Sequence, residues 1–442
     1  MRKRILNILF WSIISAAFIG PGTITTASKA GAAFQFRLLW TLVFSMLACL
    51  VLQEAAARLT IHSGRSLGRA IRDHYHGKSG RTSMLILIAG AIIFGSAAYE
   101  TGNLLGALEG LRFILFSRTP LLILAIGTIA FILLRLPSIR HIAHIMGYVV
   151  VVMGVSFVTA AILIKPDVFA ILRGSFVPDI PEGAGSGILI LGLIGTTVVP
   201  YNLFLGSGIS EKAGTVREMR FGLSVAIIMG GLISMAVLIV GSAVNEPFTF
   251  DALVAHLRIT LGYWAMILFG IGMFAAGFSS AVTAPLASAI TAESLFAREE
   301  KPWGEKSLLF RSTWGLVLLT GVVLGMMGFQ PIPAIILAQA LNGLILPFIS
   351  VLLLFVVNNV KIIGIHNLNG WISNAFLLAV VWVTLVLGVL NVSKAVIRVF
   401  PGMQVQEQVI LYLNFIFSTI IWIMIFWKTI RIRRYSVRYG SS

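Results

Sequence analysis

Apolar residues run through this chain in long unbroken stretches, separated by short polar connections. An apolar window of about 20 residues, the length a helix needs to cross the hydrocarbon of a bilayer, finds runs near 5–34, 38–60, 83–108, 119–136, 144–165, 188–210, 222–245, 263–295, 311–329, 333–357, 370–391 and 408–427. These twelve runs are continuous and do not alternate with period two, so they predict membrane-spanning helices rather than barrel strands. Of the 442 residues 58% are hydrophobic and only 11% charged, against about 25% charged in soluble domains. An ordinary soluble globule is excluded. The polar stretches 61–82 and 296–310 are too short to be domains, so residues 1–442 read as one integral membrane domain.

Charge sets the orientation. Of the 33 Lys and Arg residues, 24 fall on one set of alternate connections and termini and eight on the other, with Lys29 inside the first run. A bias of that size predicts both termini on the cytoplasmic side, and the cytoplasmic membrane of a prokaryote as the location. The net charge of +17 does not form a patch interleaved with stacking aromatics, which argues against a nucleic-acid partner. Arg2-Lys3-Arg4 before an apolar run has the layout of a signal peptide, but the run continues through a Gly-Pro break to Ala33, longer than a signal core. Cys49 is the single cysteine, so neither an intrachain disulfide nor a cysteine metal motif is possible. The histidines His62, His74 and His76 read as part of the basic loop after the second run, and His141 and His144 as part of the loop before the fifth span, and no pair has zinc spacing with a third ligand. No cofactor is implied, and oligomeric state stays open.

Two runs are interrupted in the same way. The first contains Ile19-Gly20-Pro21-Gly22-Thr23 and the sixth Thr196-Thr197-Val198-Val199-Pro200-Tyr201-Asn202. Proline removes a backbone donor and clashes with the preceding turn, while Gly20 and Gly22 admit backbone angles other residues resist. Pro21 and Pro200 lie 179 residues apart with five runs beginning at each, so an odd-numbered unit and its copy would be inverted across the membrane. That pattern points to an inverted-repeat secondary transporter, with repeats at 1–165 and 188–357 and peripheral spans at 370–427. An unpaired amide or carbonyl deep in hydrocarbon costs several kcal/mol, so facing unwound segments invite a ligand. The competing reading is a pair of structural proline kinks.

These residues, with Leu38-Leu39-Trp40, Gln53, Ala55-Ala56-Ala57-Arg58-Leu59, Ser63-Gly64-Arg65, Asn202-Leu203, Ala275-Ala276-Gly277-Phe278-Ser279-Ser280, and Gln339 through Asn342 to Pro347, resemble the natural-resistance-associated macrophage protein (NRAMP) family of divalent-metal transporters. The resemblance implies a LeuT-type fold with an inverted 5+5 repeat, helices 1 and 6 broken, and metal-ion transport by alternating access. It places Gly20, Gly22, Thr23, Thr196, Val199, Tyr201 and Asn202 at the substrate, with Pro21 and Pro200 as the helix breaks. Gln339 and Asn342 share a helix face of span ten, where the family has a glutamine beside the substrate and where an interhelical hydrogen bond is the alternative.

This sequence departs from the family at the site itself. Where the family reads Asp-Pro-Gly-Asn the chain has Gly20-Pro21-Gly22-Thr23, and where the family carries Met-Pro-His-Asn it has Val199-Pro200-Tyr201-Asn202. The carboxylate, amide, thioether and imidazole are replaced by Gly20, Thr23, Val199 and Tyr201, so no metal ligand set is expected. Backbone carbonyls, hydroxyls and one amide cannot neutralise a divalent ion, and the missing sulfur removes discrimination for soft metals. The half-helices resuming after each proline aim partly positive amino ends at the gap. A small anionic, zwitterionic or neutral solute, for example an oxyanion, is therefore the alternative substrate class, and a channel a further alternative to a carrier.

Glu100 and Lys29 are ionisable groups inside apolar runs, which are functional candidates by default. Glu100 resembles an acidic position of the family's third span associated with proton movement. A Glu100–Lys29 ion pair, a proton relay through Glu100 with Tyr99 or Asn103, and contact with an aqueous vestibule all fit the sequence. Ser279, Ser280 and Thr283 read as supports for close helix packing. No nucleophile elbow, paired catalytic aspartates, His-Glu-x-x-His or phosphate-binding loop is present, so neither an enzyme nor an ATP-driven pump is indicated.

Overall fold

The computed structural model describes residues 2–77, 79–115, 120–182, 185–212, 214–245, 247–297, 303–328, 345–399 and 407–439. Every regular element among them is helical. Nine of these helical stretches are long and apolar enough to cross a membrane.

The first apolar run is two helices, α1 (Arg2–Phe18) and α2 (Pro21–Phe34). After a short 3-10 turn, α3 (Leu39–Ser63) returns and stops at Gly64, whose φ of +66° favours a residue without a side chain. The following polar connection holds the amphipathic α4 (Leu67–His74). Next come α5 (Arg81–Leu115), α6 (Pro120–Leu134) and α7 (Ile139–Leu163), then the short α8 (Val168–Phe176). The sixth run is again split, into α9 (Ser186–Thr197) and α10 (Pro200–Ser210). The second half continues with α11 (Val216–Gly241), the connecting α12 (Phe250–Leu261), α13 (Tyr263–Phe296), α14 (Leu308–Met326) and α15 (Ile345–Val356). A turn of helix, α16 (Val360–Ile363), leads to the final pair α17 (Trp371–Val399) and α18 (Glu407–Tyr439).

Each of the twelve apolar runs thus contains helix, and part of the tenth lies outside the described residues. His141 and His144 belong to the first turns of α7 rather than to a connection. The run window, driven by hydropathy, started that span too late because the opening turns are polar. His74 is also not a freely solvated loop residue: it closes α4, contacts the Asn359 amide at 3.1 Å and stacks on Phe355.

Helix α13 lies along α5 as the central pair. Lipid offers helices no hydrophobic reason to associate, so close backbone approach through small residues does the holding. A Cβ on Gly110 would meet the Phe274 amide nitrogen at 2.3 Å, and one on Gly277 the Ala107 nitrogen at 2.3 Å. The four half-helices are gathered beside this pair: α1 against α7, α11 and α13, α2 against α11 and α9, and α10 against α3 and α13. Large apolar side chains such as Phe94 and Ile372 point outward at more than three-quarters exposure, the arrangement a lipid solvent favours. The α17–α18 pair packs on itself and on α3 at the margin.

Candidate functional site

Both breaks fall immediately before a proline, the first with Gly20 beside it and the second with Val198 and Val199. Between α1 and α2, Gly20 is extended at φ −104° and ψ −176°, and Pro21 takes the first helical position, where its missing N–H costs nothing. Between α9 and α10, Val198 and Val199 are extended and Pro200 opens the next helix. Four helices that start in polar connections carry side-chain caps, Asp167 on the Phe169 amide, Thr215 on Glu218, Thr249 on Ala252 and Ser307 on Phe310, while α4 and α7, after Ser66 and Ser138, carry none. The two starting at the breaks have none. Their first amides, those of Gly22, Thr23 and Tyr201, therefore lack the partner a cap would supply.

The opposite end of the first break is treated differently. A helix leaves its last carbonyls without intrahelical donors, and at α1 these are supplied by side chains. The Thr23 hydroxyl donates to the Phe18 carbonyl at 2.6 Å and the Tyr201 hydroxyl to that of Ala17 at 3.1 Å. Ser279 and Ser280 from α13 both donate to the Ala16 carbonyl at 3.2 Å. One turn deeper the Asn202 amide donates to Ile14 at 3.1 Å. On the other break, Thr196 and Thr197 donate back to the Leu193 carbonyl at 3.0 and 3.1 Å.

A small cavity of about 10 Å³ lies between the breaks, the space of roughly one water molecule. Of the residues expected there, Gly20, Gly22, Thr23, Thr196, Val199 and Tyr201 line it. Ala17, Phe18, Tyr99, Asn103 and Ser280 join them. Ser280 thus does more than support helix packing. It faces the cavity, and a Cβ on Gly20 would come within 2.7 Å of its hydroxyl. Asn202 is brought to the break but turned away from the cavity toward Ile14, and its Oδ1 accepts no hydrogen bond among the described residues. Gln339 and Asn342 lie outside the described residues.

Tyr99 meets Tyr201 edge to face, ring centroids 6.3 Å apart. Glu100, one residue along α5, is fully buried. Its Oε2 accepts from the Asn103 amide at 3.3 Å, while Oε1 has no hydrogen-bond partner among the described residues. Asn103 also lines the cavity, so Glu100 stands one hydrogen bond from it. Gly321 of α14 closes over Glu100, a Cβ there meeting its Cγ at 2.4 Å. The Glu100–Lys29 pair is not formed: among the described residues no ion pair or hydrogen bond joins them. Lys29 sits half-buried near the end of α2. Within the described residues no group of three His, Cys, Asp or Glu side chains is placed to hold a metal ion.

Signals for the residues the sequence missed were faint. Ala17 and Phe18 contribute through position before a break rather than through chemistry, and Ser280 sits in a small-residue stretch whose packing role hid its second one.

The model of the family described as natural resistance-associated macrophage protein-like matches residues 12–394. Curated relatives include the divalent metal cation transporter MntH of Bacillus subtilis, 28% identical over 393 residues that cover 84% of this chain and 89% of the relative. Metal transporter Nramp3 of Oryza sativa is 27% identical over 449 residues, covering 91% and 80%. Among solved structures, the Eremococcus coleocola manganese transporter aligns over 99% of this chain and 94% of its own, with TM-score 0.76 and 21% identity. Mhp1, a nucleobase-cation-symport-1 family transporter, aligns over 96% and 92% with TM-score 0.55 and 16% identity. These likenesses establish an integral membrane protein of the LeuT-type fold, built around two broken helices. By the family match across most of its length, the chain belongs to the natural resistance-associated macrophage protein-like (Nramp) family.

Proposed function

We propose that this chain is a secondary transporter that moves a small ion or solute by alternating access around the breaks at Gly20-Pro21 and Val198-Pro200. The repeats would be residues 1–165 and 188–357, with 370–427 peripheral and both termini in the cytoplasm, as the charge bias favours. The substrate class is argued from the site. One observation carries it: the carbonyls of Ala16, Ala17 and Phe18, the cation-attracting end of α1, already accept hydrogen bonds from Ser279, Ser280, Tyr201 and Thr23. What remains directed at the cavity is the pair of uncapped amino ends of α2 and α10, with partial positive charge. Such a site favours a ligand that accepts hydrogen bonds, a small anion, zwitterion or neutral solute, over a tightly held Mn²⁺ or Fe²⁺.

Metal-ion transport is the second reading, supported by the names of the relatives. It would require the ion to keep much of its hydration, because no side-chain charge lines the cavity. Glu100, joined to the cavity through Asn103, is the candidate for a coupled proton. Thermal unfolding of the purified protein against a panel of divalent metals, oxyanions and amino acids tests the choice. Stabilisation by an oxyanion or amino acid and not by Mn²⁺ is expected, and stabilisation by Mn²⁺ at micromolar concentration would select the second reading.

A further inference from the structure

Away from the breaks, a cavity of about 460 Å³ opens between the starts of α1, α7 and α11. Lys3 and Phe10 of α1 and Arg140 of α7 line it. Neither cation is in an ion pair among the described residues. Arg140 instead lies over the Phe10 ring at 5.9 Å and reaches the Lys212 carbonyl at 3.4 Å. The other two charges lining the cavity are spoken for. Lys212 pairs with Glu305, and Glu218 turns its Oε2 to the Thr215 amide and hydroxyl at 3.1 and 3.2 Å, closing a capping box.

We propose that this cavity binds the phosphate of an anionic phospholipid, held between Lys3 and Arg140. A guanidinium fork and an ammonium from two different helices match a phosphodiester, and the one carboxylate in the lining, Glu218, is held by Thr215 and forms no ion pair with either among the described residues. Basic pockets between helices at a membrane surface take such headgroups. The lining favours a lipid over free phosphate: Leu6, part of the cavity wall, is 40% exposed. That is an apolar surface an acyl chain would cover and a free phosphate would leave bare. A headgroup bridging Lys3 and Arg140 ties α1, the half-helix preceding the first break, to α7. The site is independent of the identity of the transported substrate.

The full-length protein in uncharged detergent is heated with 1-palmitoyl-2-oleoyl-phosphatidylglycerol, with the phosphatidylcholine of the same chains, or with inorganic phosphate. Phosphatidylglycerol is expected to raise Tm by several degrees and phosphatidylcholine to leave it unchanged. The Lys3→Gln/Arg140→Gln variant should lose that increment, and Arg431→Gln/Arg434→Gln, which removes equal charge from α18, should keep it. Arg140→Lys, which retains the charge, should restore part of it. Native mass spectrometry of the same samples should show retained phosphatidylglycerol that falls at least several-fold in the Lys3/Arg140 double variant, a readout that a change in fold stability alone would not give. Equal stabilisation by both lipids, an increment surviving in the Lys3/Arg140 variant, or the whole increment reproduced by inorganic phosphate would each overturn the proposal.

Discussion

The hydroxyl of Tyr201 donates to the carbonyl of Ala17 across 3.1 Å, joining the start of α10 to the end of α1 and so linking the two breaks directly. Both groups are buried. Tyr201→Phe would leave the Ala17 carbonyl without its donor and should cost about 1–3 kcal/mol of stability, read as a lowered Tm. Because Ala17 lines the cavity, the freed carbonyl would also make the site more attractive to cations. Mn²⁺ should therefore stabilise Tyr201→Phe more than the parent. An unchanged Tm would show that the hydrogen bond carries nothing.

Gly106 of α5 is where the first break rests. A Cβ there would meet Pro21 Cγ at 2.2 Å, too close for any rotamer adjustment to relieve. Gly106→Ala should destabilise by about 1–3 kcal/mol, as overpacking does, and should impair transport by displacing the break. Gly90→Ala, on the same helix with nothing within 4 Å of the new methyl, should stay within about 0.5 kcal/mol of the parent.

Glu100 and Lys29 separate by their surroundings. Glu100 is buried with one free oxygen and one hydrogen bond to Asn103, whereas Lys29 is unpaired among the described residues. Glu100→Gln should flatten the pH dependence of transport. Lys29→Ala should leave both the pH profile and Tm near the parent's. A Glu100→Gln protein with its full pH dependence would remove Glu100 from proton coupling.

At the polar surface, Asp179 is hydrogen-bonded by Arg37 at 2.5 Å, and this holds its carboxyl below the ordinary value of 3.8. A depressed carboxylate stabilises the fold above its unfolded-state value and loses that contribution as pH falls through the folded one. Asp179→Asn should thus lower Tm slightly at neutral pH, and the difference from the parent should shrink as pH falls below the ordinary carboxylate value and through the lowered one. Both side chains are well exposed, so the effect should also shrink in high salt.

Much of the fold could be read from residues whose physics is local. Pro21 and Pro200 announce the breaks because a missing N–H cannot be hidden in hydrocarbon, and the apolar runs announce helices by length. The lining at Gly20, Thr23, Thr196, Val199 and Tyr201 follows from adjacency to those prolines. Partners distant in sequence were not legible. Nothing about Tyr201 predicts that its hydroxyl reaches Ala17, 184 residues away, and nothing about Ser280 predicts Ala16. Glu100 and Lys29 looked like partners because depth along a helix is readable while the direction a side chain faces around the bundle is not.

Hydroxyl donors from Thr23, Tyr201, Ser279 and Ser280 occupy the carbonyls at the end of α1, and on the proposed function this leaves no place there for a dehydrated divalent cation. Uptake of Mn²⁺ into proteoliposomes of the purified protein is the decisive measurement. No saturable Mn²⁺ uptake above that of protein-free liposomes is expected; saturable uptake that Fe²⁺ or Cd²⁺ competes away would overturn the proposed function.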